Sequence, residues 1–386
     1  MEPRRIVIIS DFQDGAWSEE AIPSVGEYRD QWLSGTRGQS PTAVSEPGIV
    51  EVGGGYLERL PLAALKDRLV DCAEIWTHWR GDTPPSYPTT SSPFLTRRAF
   101  RMNGPQAPFA SNDMLGHIAA FGPPDILCVW GLGVCEDILL ACRDSFKIYN
   151  SIDVPALRVP AEVSRHFDLV LTGAEWQSVM VEARHPGMRT EVMPIGPEFA
   201  SELTFRPLNI PKTHDVIYVA AAQAYKRHDI LFDALARLPR SLRTLCVSGY
   251  GEMVPELRDQ AERLGIAVDF VGPPGVPFDE VNRLMNQSRI GVVCGVDDGA
   301  PAILTEYMLA GIPVLANSAL RCGLQYITPE TGSAVCAADF HQGLRDLLER
   351  ADTMRPRYAV LDRWTWPHTV RKLRQLVQNT KKRILS

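Results

Sequence analysis

The stretch Asp297 to Ala316, DDGAPAILTEYMLAGIPVLA, gathers the residues best suited to chemistry in this chain. Asp298 and Gly299 end a loop that follows an apolar run, and Pro301 suits the first position of a helix, where its missing N–H would be unpaired anyway. Gly311 supplies a left-handed helix stop, and Pro313 opens the next strand. The amides of Ala302 and Ile303 would then stand at a helix N-terminus, where unpaired N–H groups and partial positive charge suit a diphosphate. Asp298 and Glu306 would repel phosphate but accept hydrogen bonds from hydroxyl groups, so the segment fits a ligand that is both anionic and hydroxyl-rich. Taken alone, it also fits a capped helix with a solvent-facing Glu306.

A second group lies upstream in Tyr225-Lys226-Arg227-His228-Asp229, which follows Tyr218-Val219. Lys226 can pair with phosphate as a point charge; without a partner motif it reads as a surface lysine. Ser248-Gly249-Tyr250-Gly251 and Val271-Gly272 follow two further strand runs, although a Gly-x-Gly is demanded by many turns. In the first half, Asp11 and Asp14 follow the first strand and read equally as cleft residues or as caps of a turn. His117 and His166 sit in helical patterns and suit structural roles, so no catalytic base is named.

These residues need elements to hold them. Short β-branched runs alternate with helical patterns, which predicts parallel sheets with helices on both faces. The predicted strands are Arg5 to Ser10, Asp125 to Trp130, Phe146 to Asn150, Leu169 to Thr172 and Glu191 to Pro194. A second set runs Val216 to Ala220, Thr244 to Ser248, Val268 to Val271, Ile290 to Val293 and Pro313 to Ala316. Each set is the size of one doubly wound domain, and the length of 386 residues agrees with two. The joint is predicted near Phe205 to His214, where prolines interrupt the periodicity. Gly81 to Asn112, rich in Pro, Ser and Thr, reads as a surface loop or one that covers an acceptor. A final helix over Pro367 to Asn379 is amphipathic, and Lys381-Lys382-Arg383 reads as a solvated tail.

Composition narrows the function classes. Apolar residues make up 45% and charged residues 22%, as in a globular enzyme, and a net charge of -6 gives no basic field for nucleic acid. The run Ile6 to Ile9 is too short for a signal peptide or membrane span, which predicts a cytoplasmic protein. Eight cysteines without a Cys-x-x-Cys pair read as reduced core residues, and no metal-ligand spacing appears.

The segment around Asp298 resembles the donor-site motif of the retaining GT-B glycosyltransferases of the group 1, or family 4, type: Glu, seven residues, Glu, with Gly-x-Pro after the first acid. Here the first acid is Asp298, followed by Gly299, Ala300 and Pro301, and the second is Glu306. The resemblance implies that Glu306 binds the ribose hydroxyls, Asp298 the transferred sugar and Lys226 the diphosphate. Asp298 is one methylene shorter than the family's glutamate. The family's arginine five residues before the lysine is Ala221 here, which leaves open whether Arg227 compensates. Val271 and Gly272 become backbone contacts to the base, and Gly15 stands for the glycine-rich loop near the donor phosphates. Many relatives carry a histidine where this chain has Tyr149 to Asp153; Asn150, Ser151 and Asp153, with Asp11 and Asp14, are the acceptor candidates.

The implied fold is GT-B, an α/β architecture of two Rossmann-like doubly wound domains facing a central cleft. An acceptor domain of residues 1–208 plus 363–386 would join a donor domain of residues 209–362, with the chain crossing back near Trp364-Thr365-Trp366. The implied reaction moves a hexosyl group, with retention, from a nucleoside diphosphate sugar to a hydroxyl- or amine-bearing small molecule such as a secondary metabolite. The nucleotide sugar is the substrate and no cofactor or metal is required. Two other classes stay open: a sugar-nucleotide epimerase of the same fold, and a nucleotide-sugar-binding protein without turnover. A nicotinamide dehydrogenase lacks its Gly-x-Gly-x-x-Gly.

Overall fold

The computed structural model describes residues 4–81 and 92–384, and of Phe12, Asp14 and residues 380–384 the backbone only. The chain divides into two compact units, residues 1–195 with 366–386, and residues 196–365.

The first unit is built on a seven-stranded sheet in the order β3-β2-β1-β4-β5-β6-β7. Its strands are β1 (Arg5–Asp14), β2 (Cys72–Trp79), β3 (Leu95–Arg101), β4 (Ile126–Trp130), β5 (Phe146–Asn150), β6 (Leu169–Thr172) and β7 (Thr190–Val192), and every pairing is parallel. Ile6, Val7, Ile8 and Ile9 are all buried, as expected of a central strand covered on both faces. The five predicted strands of this half are present. β2 and β3 were not predicted, because their charges hide the pattern. Glu74 lies in the core, where it accepts from Arg98 Nε at 2.8 Å and from Trp76 Nε1 at 2.6 Å. β3 replaces part of the expected loop at Gly81 to Asn112, and residues 82–91 of that stretch lie outside the described residues.

His117 sits in helix Asn112–Phe121, caged by Trp32, Trp76, Phe100 and Phe121 with ring centroids 4.6 to 5.4 Å away. His166 lies in the turn after the short helix Ala161–Ser164, not in a helix, and its Nε2 meets Glu136 Oε1 at 2.6 Å. The C-terminal helix, Trp366–Ile384, packs on the first unit through buried Val370, Leu373, Leu376 and Val377. Arg374 donates to Asp67 Oδ2 at 2.6 Å and Lys372 pairs with Glu191 at 2.6 Å. The tail Lys381-Lys382-Arg383 has no described side chains.

The second unit holds a six-stranded sheet in the order β10-β9-β8-β11-β12-β13, again parallel throughout. These strands are β8 (His214–Val219), β9 (Arg243–Val247), β10 (Ala267–Val271), β11 (Ser288–Val293), β12 (Val314–Asn317) and β13 (Gly332–Val335). Only the short edge strand β13 was not predicted. The segment Phe205 to His214, expected as the joint, lies inside this unit. Phe205 is fully buried there, and the chain is held by Arg206 N–H on Asn282 Oδ1 at 3.0 Å and Leu208 N–H on Asn286 Oδ1 at 2.6 Å. The prolines break periodicity at that point without marking an edge of the unit.

Candidate active site

In the second sheet the chain runs outward from β8 to β10 and then returns to β11 beside β8, so the strand order reverses between β8 and β11. In open α/β sheets ligands bind at the carboxyl ends of the strands at such a reversal. Lys226 follows β8 and Asp298 follows β11, and here the two side chains form an ion pair. Both are largely covered, with 16% and 12% of their side-chain surface exposed. The lysine nitrogen also stands 4.8 Å from the centre of the Tyr225 ring. Below them Tyr218, buried in β8, donates its hydroxyl to the Lys226 carbonyl at 2.5 Å, which fixes the turn Ala224–Lys226. Burial pushes the Tyr218 hydroxyl well above its usual pKa, so it remains a donor.

Arg227 adopts a left-handed conformation, φ 54°, and its guanidinium binds Asp229 through Nε at 2.9 Å and Nη2 at 2.7 Å. That bidentate bond raises the arginine's pKa and lowers that of Asp229. His228, the first residue of helix His228–Leu235, is buried against Tyr218 with no partner on either ring nitrogen. Burial, and then Lys226, push its pKa down to about 4.

Glycines let the loops of this edge approach each other. A Cβ on Gly251 would stand 2.4 Å from the Ala222 carbonyl oxygen, and one on Gly272, φ 81°, would stand 2.1 Å from that of Ser248. Ser248 N–H bonds the Val271 carbonyl at 2.9 Å, which ties the ends of β9 and β10. Val271 and Gly272 therefore lie on the same edge as Lys226.

Gly299, Ala300 and Pro301 form the loop before helix Ile303–Leu309. Pro301 was expected as the first helical residue. The helix starts later, because Leu304 N–H first closes a tight turn on the Pro301 carbonyl at 3.2 Å. Ala302 is the cap and Ile303 the first helical residue. Gly311, φ 90°, ends the helix as expected, with Ile312 N–H on the Tyr307 carbonyl at 3.1 Å. Glu306 is 8% exposed, so it is not the solvent-facing residue of the simpler reading.

Sequence reasoning missed the loop after β12. Arg321 N–H bonds the Val296 carbonyl at 3.1 Å, and Asn317 Nδ2 bonds the Cys294 carbonyl at 3.0 Å. A Cβ on Gly323, φ 106°, would stand 2.7 Å from Leu304 Cδ1 and 3.6 Å from Ala300 Cα. A glycine shortly after a predicted strand was the available signal.

The first unit has its own reversal, between β1 and β4, and the acceptor candidates gather there. Asp11 ends up beside Gly131, where a Cβ would stand 2.4 Å from its carboxylate. Burial, and then Asp153, raise the pKa of Asp11. Tyr149 donates its hydroxyl to the Gly131 carbonyl at 2.6 Å, and Asp153 pairs with Arg158 at 2.7 Å. Asn150 Oδ1 and Ser151 Oγ are buried with no hydrogen-bond partner. Such atoms are costly unless a water or ligand satisfies them. Gly15, φ 83°, packs against Trp79, whose ring a Cβ would approach to 2.4 Å. The Asp14 side chain is outside the described residues. Among the described residues, no group of three or more His, Cys, Asp or Glu side chains converges as a metal site, and no helix is long and apolar enough to cross a membrane.

Residues 201–359 match the model of the family Glycosyl transferases group 1. No curated protein matches the chain. Among solved structures it is similar to sucrose-phosphate synthase from Thermosynechococcus elongatus, with a TM-score of 0.67 and 16% identity over 97% of this chain and 98% of that one. HepE from Anabaena in complex with UDP and glucose gives 0.63 and 13% over 97% and 100%. The lipopolysaccharide outer core galactosyltransferase WaaB gives 0.61 and 14% over 97% and 99%. At these identities the likeness is one of fold. The fold is GT-B, and the match to the glycosyltransferase group 1 model falls within the second unit.

Proposed function

We propose that this chain is a group 1 glycosyltransferase that moves a sugar, with retention, from a nucleoside diphosphate sugar to a hydroxyl- or amine-bearing small molecule in the cytoplasm. The observation that carries the reading is the Lys226–Asp298 pair over the β8/β11 reversal, with Glu306 buried in the helix that follows. A cation for the leaving diphosphate and two carboxylates for hydroxyl groups are the parts such a substrate needs.

As the bond from sugar to phosphate breaks, charge develops on the phosphate oxygens. Lys226 stabilises that charge more in the transition state than in the ground state, and the departing phosphate takes the proton of the attacking acceptor. In this scheme Asp298 holds the sugar hydroxyls and Glu306 the ribose. The scheme needs no metal or other cofactor. The acceptor is assigned to the first unit, at Asp11, Asn150, Ser151 and Asp153, where unsatisfied buried oxygens suit a ligand rich in donors.

UDP is the first nucleotide to try, since the HepE structure holds UDP and glucose. Radiolabelled UDP-sugars incubated with a panel of polyol and amino-sugar acceptors should give labelled product of retained anomeric configuration. Lys226→Ala should reduce turnover by about tenfold or more while changing UDP affinity less. Interconversion of the nucleotide sugar without an acceptor would replace this reading with epimerisation.

A further inference from the structure

At the donor edge of the second unit, Lys226 and Arg227 are both already engaged by carboxylates. Lys226 is paired with Asp298, Arg227 is held in a bidentate bond by Asp229, and Glu306 and Asp297 add further negative charge. A diphosphate brought to this edge requires another cation, since unbalanced like charges oppose binding in a partly buried site.

Arg321 lies on the loop after β12, next to Cys322, which feels the charge of both Arg321 and Asp298. The Arg321 backbone is clamped to the loop after β11 by the bond to Val296, and Cys322 and Gly323 beside it press on the segment Ala300 to Leu304. Its side chain is 47% exposed, and its Nη1 lies 4.0 Å from Asp297 Oδ1, a carboxylate that is itself 68% exposed. An ion pair so long and so solvated is worth little by itself. The guanidinium fork can hold two phosphate oxygens at once, which a lysine cannot.

We propose that Arg321, on the loop after β12, binds the diphosphate of the donor and makes the site selective for nucleoside diphosphates over monophosphates. This rests on the donor-site reading above. The test is calorimetric titration of the full chain with UDP, GDP and ADP and with the matching monophosphates, for the wild type, Arg321→Ala and Arg321→Lys. With the nucleotide that the wild type binds best, Arg321→Ala should weaken the diphosphate about tenfold and the monophosphate by less than about threefold, with partial recovery in Arg321→Lys. Equal weakening of both nucleotides, or no change in either, overturns the assignment of Arg321 and leaves the donor site standing. A wild type that binds none of the six nucleotides overturns the donor site and this proposal with it.

Discussion

The Tyr307 hydroxyl accepts the backbone N–H of Val219 at 2.6 Å and lies 3.4 Å from the carbonyl of Ile217. It thereby fastens the helix that carries Glu306 to the strand that leads into the Lys226 turn. The ring rests on β11, where a Cβ on Gly291 would stand 2.5 Å from it. One fully buried side chain thus sets the spacing between the ribose carboxylate and the phosphate cation of the proposed site.

Tyr307→Phe should keep the ring packing and leave the Val219 N–H without its acceptor. The expected loss is about 1 to 3 kcal/mol of stability, the cost of an unsatisfied buried donor. Denaturant unfolding followed by a weaker UDP titration would show both effects. Unchanged stability would mean that water reaches Val219 and that the hydroxyl is not the fastening.

Glu306→Gln should weaken nucleotide binding by about 1.5 to 3 kcal/mol, because ribose hydroxyls lose a charged acceptor. The discriminating control is a 2′,3′-dideoxynucleoside diphosphate, which has no ribose hydroxyls to lose. It should bind the variant and the wild type alike. If the variant weakens both ligands equally, Glu306 supports the helix and does not touch the ribose.

Most of the scaffold could be read from the sequence because buried parallel strands are continuous apolar runs. Each exception has a physical cause. β2 and β3 carry the Glu74–Arg98 pair, and a buried ion pair reads as two surface charges until the strands are brought together. β13 is short and small. Lys226, Asp298 and Glu306 stood out in the sequence through their resemblance to a family motif, since Lys226 alone reads as a surface lysine, and the contact between Lys226 and Asp298 spans 72 positions and follows only from the strand order. Arg321 had no signal, since an arginine in a loop has no pattern to stand against. Tyr307 lay within an apolar helix face, where its ring explained its presence and its hydroxyl drew no notice.

Three buried histidines should make stability fall in mild acid. Burial lowers His78 and His228 to about 4 and His117 to about 2, the last with help from Arg98 and Arg5. The folded protein then stays unprotonated at these sites while the unfolded chain takes up protons below about pH 6.5, so stability is lost as pH falls from there toward 4, by up to ~1.4 kcal/mol per pH unit per histidine. Asp11, raised by burial, acts in the opposite sense. His117→Phe keeps an aromatic ring in the cage of Trp32, Trp76, Phe100 and Phe121 and removes one of the three groups. Unfolding midpoints measured from pH 7 to 5 should fall less steeply in this variant. An identical slope would show that His117 is not neutral and buried in the folded state.

Asp298→Asn separates binding from transfer. In the structure the Asp298 carboxylate neutralises Lys226, so an incoming diphosphate must compete with it for the ammonium group. Asparagine keeps the size and a hydrogen-bonding oxygen but removes the charge. UDP should then bind more tightly, by about threefold to tenfold, because the phosphate meets an uncompensated cation in a largely covered site. Transfer should fall in the same variant by about tenfold or more, since the sugar hydroxyls lose a charged acceptor in the transition state. High salt should shrink the gain in binding and leave the loss in transfer. A variant that binds UDP more weakly would mean that Asp298 holds Lys226 in position for phosphate instead of competing with it. A variant that transfers sugar at the wild-type rate would remove Asp298 from the reaction altogether.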